Sequence, residues 1–277
     1  MGEEEFKMTV AFNHLGRLGQ LGNQMFQYAA LKSISEKHGY EYMIPNHGIF
    51  VDALGNKLRT ELFDAFDLKV NVGFLELPEQ NYIQEPHYEY SKDFVKNCPD
   101  NVSLIGFFQS EKYFKNISKK IRKDFKFKKQ IRSECSDIID EIFEDPIALH
   151  IRRGDFLINS ANHHNLSMSY YENALKKFHH TRQVIIFTDD PDWAGAQDIF
   201  KSERFIVSQN NGAYHDMYMM SKCTDFIIAN STYSWWAAWL CENPDKLVVC
   251  PEKWFGVNNQ DKNIKDLYPS EWLVCHE

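Results

Sequence analysis

No stretch of this 277-residue chain comes near the ~20 consecutive apolar residues that a membrane-crossing helix needs. The start, Met1-Gly2-Glu3-Glu4-Glu5, carries acid where a secretion signal carries base. Both absences point to a cytoplasmic protein. A cationic excess is missing too. The formal net charge of -8 argues against nucleic acid as the main partner, because a phosphate backbone calls for a clustered positive surface. The six cysteines, Cys98, Cys135, Cys223, Cys241, Cys250 and Cys275, lack paired metal-binding spacing, and their scatter fits reduced, packed thiols rather than a disulfide framework. No internal repeat is visible. Nor is this a disordered composition, since 43% hydrophobic and 14% aromatic residues with dispersed charge describe a packed globular protein. The length suits two domains of ordinary size. Basic residues gather once, over residues 112–129, as a solvated helix face or linker that can also touch an anionic membrane surface.

Strand-like and helix-like segments alternate, which argues for α/β architecture. Residues 8–12 read as a strand, followed by a loop carrying Gly16, Gly19 and Gly22 and a helix over about 23–38 that Gly39 stops. Met25, Tyr28, Ala29 and Leu31, with few charges nearby, predict that this helix is largely buried. The loop has the spacing G-x-x-G-x-x-G, not the G-x-G-x-x-G of a dinucleotide fingerprint, and no acidic residue follows at the expected strand end. A nicotinamide enzyme is therefore disfavoured. A glycine loop opening a helix still turns backbone N–H groups toward an anion, with Asn23 and Gln24 as neutral donors. Equally, it is a tight turn that packs the helix on its sheet.

The run His150-Ile151-Arg152-Arg153-Gly154-Asp155 follows the apolar Pro146-Ile147-Ala148-Leu149, so two guanidiniums stand where a buried strand ends. Arginine is charged at any working pH and its planar fork matches phosphate oxygens bidentately, so the pair implies an anion site. Strand alternation projects His150 and Arg152 together, and Gly154 lets the chain turn and releases Arg153. Read structurally, the same residues are an Arg–Asp pair supporting a loop and a satisfied core histidine. Residues 183–187 form a second buried strand, ending in Thr188-Asp189-Asp190-Pro191-Asp192. Its carboxylates can hold a divalent metal or cap the next helix. Capping and loop support is preferred, because adjacent arginines neutralise a diphosphate without metal. A short helix over residues 215–223 and a strand over 225–229 lead into Asn230-Ser231-Thr232-Tyr233-Ser234, whose hydroxyls at a strand-to-helix turn suit phosphate or ribose. Trp235, Trp236, Trp239 and Leu240 at helical spacing read as core rather than as a sugar-stacking platform.

Three runs in series, Leu21-Gly22-Asn23-Gln24-Met25-Phe26-Gln27-Tyr28-Ala29, HIRRGDF from His150 and NSTYSWWAAWL from Asn230, resemble the bacterial-type α-1,2-fucosyltransferases of glycosyltransferase family 11. The HxRR element is also similar to that of α-1,6-fucosyltransferases and protein O-fucosyltransferases. The resemblance implies an α/β GT-B fold, two Rossmann-like domains facing across a cleft, with an acceptor-side domain over residues 1–143 and a GDP-fucose-binding domain over 144–277. It implies inverting transfer of L-fucose from GDP-fucose to the 2-hydroxyl of a terminal β-galactoside on an oligosaccharide or glycolipid precursor. No cofactor and no metal is required, and the work is done in the cytoplasm or at the cytoplasmic membrane face.

By the same resemblance Arg152 and Arg153 grip the diphosphate and stabilise the departing GDP. His150 and Asp216 read guanine, whose N1–H and amino group one carboxylate accepts side by side. Ser231, Thr232 and Ser234 form the phosphate loop, Asn23 lies near the transferred sugar, and Gly22 belongs with them to the GDP-fucose-binding set. Arg152, Arg153, Asp155 and Asn23 are thus the expected catalytic set. An inverting displacement needs a proton acceptor or a strongly dissociative path. Related α-1,6 enzymes place a Glu in the loop after the arginine motif, but residues 156–164 contain none, which leaves Asp155, His163 and His164, although orienting the arginines is the preferred reading of Asp155 and exposed loop residues the alternative for the histidines. Residues 45–84 supply acceptor walls. The alternatives are α-1,6 or O-fucosyl transfer, disfavoured by the Trp-rich motif and the LGNQMFQYA run, and a nucleotide-sugar-binding protein that keeps the grip without a base.

Overall fold

The computed structural model describes residues 7–46, 48–51, 57–141, 145–209 and 211–277. It packs as two compact units. One is the chain up to Lys126 together with Asn263–Leu267; the other is Phe127–Lys262 with Tyr268–Glu277. The break expected between residues 143 and 144 lies outside the described residues.

In the first unit, β1 (Thr9–Ala11), β2 (Glu41–Ile44), β5 (Asn71–Val72), β6 (Tyr82–Gln84) and β7 (Val102–Ile105) form one sheet in the order β5-β2-β1-β7-β6. Every pairing is parallel. A separate antiparallel pair joins β3 (Ile49–Val51) to β4 (Lys57–Arg59). The first helix, Leu21–His38, buries thirteen of its residues, including Met25, Phe26, Tyr28 and Leu31, and stops at Gly39, whose left-handed φ of 71° suits a residue without Cβ. The chain leaves β1 through Gly16 and Gly19, both at positive φ.

In the second unit, β8 (Ile147–Ile151), β9 (Val184–Thr188), β10 (Phe205–Val207), β11 (Asp225–Ile227), β12 (Val248–Pro251) and β13 (Leu273–Cys275) form a parallel sheet in the order β10-β9-β8-β11-β12-β13. Counted within the unit this is 3-2-1-4-5-6, the doubly wound Rossmann order, and its direction reverses between β8 and β11. Every residue of β8 is buried, as a central parallel strand covered on both faces must be. The helix Thr232–Leu240 places Trp235 and Trp236 fully in the core, edge to face at 5.1 Å, with Trp239 beside them. The expectation that these rings are core holds.

All six cysteines are buried and unpaired. The basic segment supplies surface ion pairs: Lys112 with Asp266, Lys115 with Glu111 and Lys120 with Glu36. Among the described residues no helix is long and apolar enough to cross a membrane.

Candidate active site

Open α/β sheets bind ligands beyond the carboxyl ends of their strands, at the point where strand order reverses. In the second unit that point lies between β8 and β11. The loop after β8 holds Arg152 and Arg153, and the loop after β11 holds Asn230 and Ser231, with Thr232 opening the next helix. Neighbouring β9 pairs Thr188 with Ile151, so the residues just beyond the two strand ends, Arg152-Arg153 and Asp189-Asp190, stand side by side.

Arg152 Nη2 meets Asp155 Oδ1 at 2.7 Å, and its Nη1 meets Asp189 Oδ2 at 3.0 Å. Arg153 Nε donates to Asp190 Oδ2 at 3.0 Å, its guanidinium stacks on the Trp193 ring at 3.7 Å, and its backbone N–H donates to Asp189 Oδ1 at 2.9 Å. Asp190 also caps the helix Pro191–Ala196 by accepting from Trp193 N. The capping role expected of these carboxylates is therefore present, and beside it an unanticipated one, since both carboxylates also fix the arginines. Three carboxylates against two guanidiniums leave no surplus positive charge here, so an incoming anion must compete for Arg152. Arg153 differs, because no described residue engages its Nη nitrogens. Its fork is oriented and open.

The chain turns out of β8 and into the short helix Gly154–Ile158 at Gly154, as expected, but without a positive φ. A Cβ there would stand 2.7 Å from Asp189 Oδ2, so glycine is needed for the close approach of that carboxylate. His150 is buried in β8, with Nδ1 unpartnered among the described residues and its ring 5.4 Å from that of Tyr233. Burial, with the Arg152 charge adding to it, pushes its pKa down to about 3, so His150 is a neutral imidazole. Asp216 lies in the helix Ala213–Met220, half-buried, accepting from Ser208 Oγ at 2.7 Å. Burial raises its pKa, while hydrogen bonds from Ser208 and Asn211 work against the rise. Tyr233 Oη donates to Ala213 O at 2.5 Å and ties this helix to the loop after β11. Ser231 caps the helix Thr232–Leu240, and Thr232 is half-buried beside it. Ser234 departs from the expected phosphate loop: it is fully buried, and its hydroxyl turns back to Ser231 O at 3.3 Å.

In the first unit the glycine loop is braced from within. Gln24, fully buried, donates to Gly19 O and Arg59 O and accepts from Glu61 N. Gln27, equally buried, donates to Leu18 O and Gly106 O. Leu21 N, at the start of the helix, donates to Glu61 Oε2 at 2.7 Å. This corrects the anion-cradle reading of the loop. The helix start already holds the protein's own carboxylate, Gln24 faces inward, and Gly22 is buried in the first turn. Asn23 alone among residues 21–31 reaches the surface, and its Oδ1 accepts from Gln109 Nε2 at 2.8 Å.

Glycosyl transferase family 11 matches this sequence over residues 4–276. The chain belongs to that family. An O-antigen biosynthesis glycosyltransferase of Escherichia coli, WbnK, is 30% identical over 296 residues, covering 90% of this chain and 96% of that protein. An α-1,2-colitosyltransferase of Escherichia coli is 29% identical over 283 residues, covering 92% and 96%. The crystal structure of POFUT1 in complex with GDP-fucose is similar in fold, with a TM-score of 0.50 at 12% identity over 87% of this chain and 95% of that one.

For this family 11 glycosyltransferase the three proton-acceptor candidates all have internal partners. Asp155 is bonded to Arg152. His163 stacks on Phe156 at 4.1 Å, and burial lowers its pKa. His164 Nε2 lies 3.0 Å from Glu277, which also accepts from Ser167 N and Lys253. Sequence reasoning missed Trp193, the arginine-fixing role of Asp189 and Asp190, and the partners of Asn23. The expected acceptor walls over residues 45–84 fall partly outside the described residues.

Proposed function

We propose that this family 11 glycosyltransferase moves L-fucose from GDP-fucose to the 2-hydroxyl of a terminal β-galactoside, with inversion, forming an α-1,2 linkage. The observation that carries the reading is Arg153. It sits at the reversal point of a Rossmann sheet, is held by Asp190 and Trp193, and keeps its Nη fork open for the two oxygens of a phosphate. As the bond between fucose C1 and the β-phosphate oxygen breaks, negative charge grows on the departing GDP, and a fixed guanidinium stabilises that charge most in the transition state. Arg152 joins it by exchanging Asp155, which is 57% exposed and free to swing away, for a phosphate oxygen. Asp216 and neutral His150 serve the guanine end, Ser231 and Thr232 the phosphates or ribose, and Asn23 the transferred sugar. Asp189 and Asp190 are bonded to arginines and to a helix start, which favours a transfer that needs no metal. The acceptor is a galactose-terminated oligosaccharide or glycolipid precursor, met in the cytoplasm or at the membrane face.

A second reading has a specific ground in the α-1,2-colitosyltransferase relative: the donor sugar is colitose. Purified protein incubated with GDP-fucose or GDP-colitose, a panel of lactose, lactosamine and related galactosides, and an excess of EDTA decides among these. The expected product carries an α-1,2-linked fucose at a rate the chelator leaves largely intact. Colitose transfer alone replaces the donor, a rate restored by manganese returns Asp189 and Asp190 to the role of ligands, hydrolysis without transfer removes the transferase reading, and binding with neither removes the enzyme reading.

A further inference from the structure

In the first unit the sheet order reverses between β1 and β7, so the segments leaving those two strands flank that sheet's ligand crevice. Asn23 belongs to the segment after β1 and Gln109 to the loop after β7. Their hydrogen bond spans the reversal point. The loop that carries Gln109 is built under strain. Phe108, buried and not a glycine, has a φ of 53°, a strained conformation that survives only where neighbours over-determine it. Glu85 does so here, because its Oε2 accepts from both Phe107 N at 2.9 Å and Phe108 N at 3.0 Å. Gln109 is 7% exposed, and its Oε1 accepts a hydrogen bond from Tyr88 Oη. Burial and the nearby Glu85 hold the Tyr88 phenol protonated, so it is a donor throughout the working pH range.

With the Tyr88 O–H on its oxygen, Gln109 turns its amide nitrogen to Asn23, whose oxygen accepts it. The Asn23 Nδ2 group lies against the left-handed Gly19, where a Cβ would stand 2.1 Å away, and finds no acceptor among the described residues.

We infer that Gln109, steered by Tyr88, is a positioning residue for Asn23, fixing its amide so that the N–H pair of Nδ2 is presented to an oxygen of the donor sugar. This rests on the reading that Asn23 serves the transferred sugar. A donor aimed in advance holds the sugar in line for displacement without reorganising at the moment of reaction. Loss of the aim lowers kcat rather than nucleotide affinity.

Steady-state kinetics with GDP-fucose and a galactoside acceptor on Asn23→Ala, Gln109→Met, Tyr88→Phe and the double variants Asn23→Ala/Gln109→Met and Asn23→Ala/Tyr88→Phe test it, with GDP affinity measured by calorimetry. Gln109→Met lowers kcat on the order of tenfold, the worth of one well-placed hydrogen bond, with GDP affinity unchanged. In the Asn23→Ala background the same change costs less than about twofold, because its effect runs through the missing amide. If Gln109→Met folds poorly, Tyr88→Phe, which deletes one hydroxyl, carries the same expectation of a kcat loss that vanishes without Asn23. Losses that multiply in the double variant, or a Gln109→Met enzyme with full kcat, overturn the positioning role alone. An Asn23→Ala enzyme with full kcat instead overturns the reading of Asn23 on which it stands.

Discussion

Asp190 accepts from Arg153 Nε at 3.0 Å with one oxygen and from Trp193 N at 3.2 Å with the other, so a single carboxylate both fixes the arginine and starts the helix whose Trp193 ring stacks against that guanidinium. Two of the arginine's freedoms are removed this way, the swing of its stem and the roll of its plane. What stays open is the pair of Nη groups, the geometry a phosphate accepts bidentately. Arg152, with both Nη atoms on carboxylates, is a charge that must first be released. Adjacent in sequence and alike in chemistry, the two arginines are thus unequal in readiness.

That inequality sets the first prediction. Arg153→Ala weakens GDP binding on the order of 10- to 100-fold, since a hydrogen bond to a charged group is worth about 1.5–3 kcal/mol. Arg152→Ala weakens it less, because an anion gains from Arg152 only after breaking its bonds to Asp155 or Asp189. Isothermal titration of both variants checks the order, and a larger loss for Arg152→Ala shows that exchanging Asp155 for a phosphate oxygen costs too little to make the two arginines unequal.

A second prediction uses Gly154. A methyl group there meets Asp189 Oδ2 at 2.7 Å, and the carboxylate has to retreat from Arg152 Nη1 and Arg153 N together. Gly154→Ala therefore lowers GDP affinity several-fold. It also lowers the thermal midpoint by about 2–4 °C for each ~1 kcal/mol of strain, on a chain whose backbone otherwise tolerates alanine. A variant with wild-type affinity and midpoint would mean that the carboxylate relaxes freely and that glycine is there for another reason.

The arginines, the tryptophan core and the first helix were legible in the sequence because each depends on residue type and local spacing. The partners were not, although one of them was within reach. Strands joined by a crossover helix usually pair, so Arg152-Arg153 and Asp189-Asp190, each just past the end of consecutive strands, belong side by side by topology alone. Glu61 on Leu21 N is forty residues away, beyond a hairpin, and nothing in its spacing announces it. Gln109 on Asn23 is 86 residues away across the reversal of the first sheet, a contact that exists only once the strand order is known. At Gly154 the turn was legible but the close approach of Asp189 was not, since a glycine that serves both looks the same in sequence.

The third prediction concerns the nucleotide base. One Asp216 oxygen accepts from Ser208, which steadies the carboxylate while its half-buried setting leaves it in reach of a ligand. Asp216→Asn keeps the shape but replaces one acceptor with a donor, which repels the N1–H and amino group that distinguish guanine. The preference for GDP over ADP falls on the order of tenfold, with ADP affinity nearly unchanged. Competition binding with the two nucleotides reads this ratio, and undiminished selectivity removes Asp216 from guanine recognition.

The last prediction is a pH dependence of stability centred on Glu85. Burial pushes its carboxyl up to about 7, against the hydrogen bonds from Phe108 and Phe107 that pull the other way. Between the ordinary value of about 4.5 and about 7 the folded chain keeps a proton that the unfolded chain has lost, so this group's contribution is fully present below about 4.5 and fades as pH rises to about 7. His150 acts in the opposite sense. Held near 3 by burial and by Arg152, it stays neutral when folded, while the unfolded chain takes up a proton below about 6.5, so its contribution is lost as pH falls. Because the two slopes oppose each other over most of this window, the wild-type curve alone separates nothing. The difference between wild type and Glu85→Gln does, since His150 is common to both. Thermal unfolding at intervals from about pH 5 to about pH 8 should show the wild type's advantage over Glu85→Gln shrinking up to about pH 7 and level beyond it. An advantage that instead grows toward neutrality would mean that Phe107 and Phe108 hold an ionised carboxylate more tightly than burial opposes it.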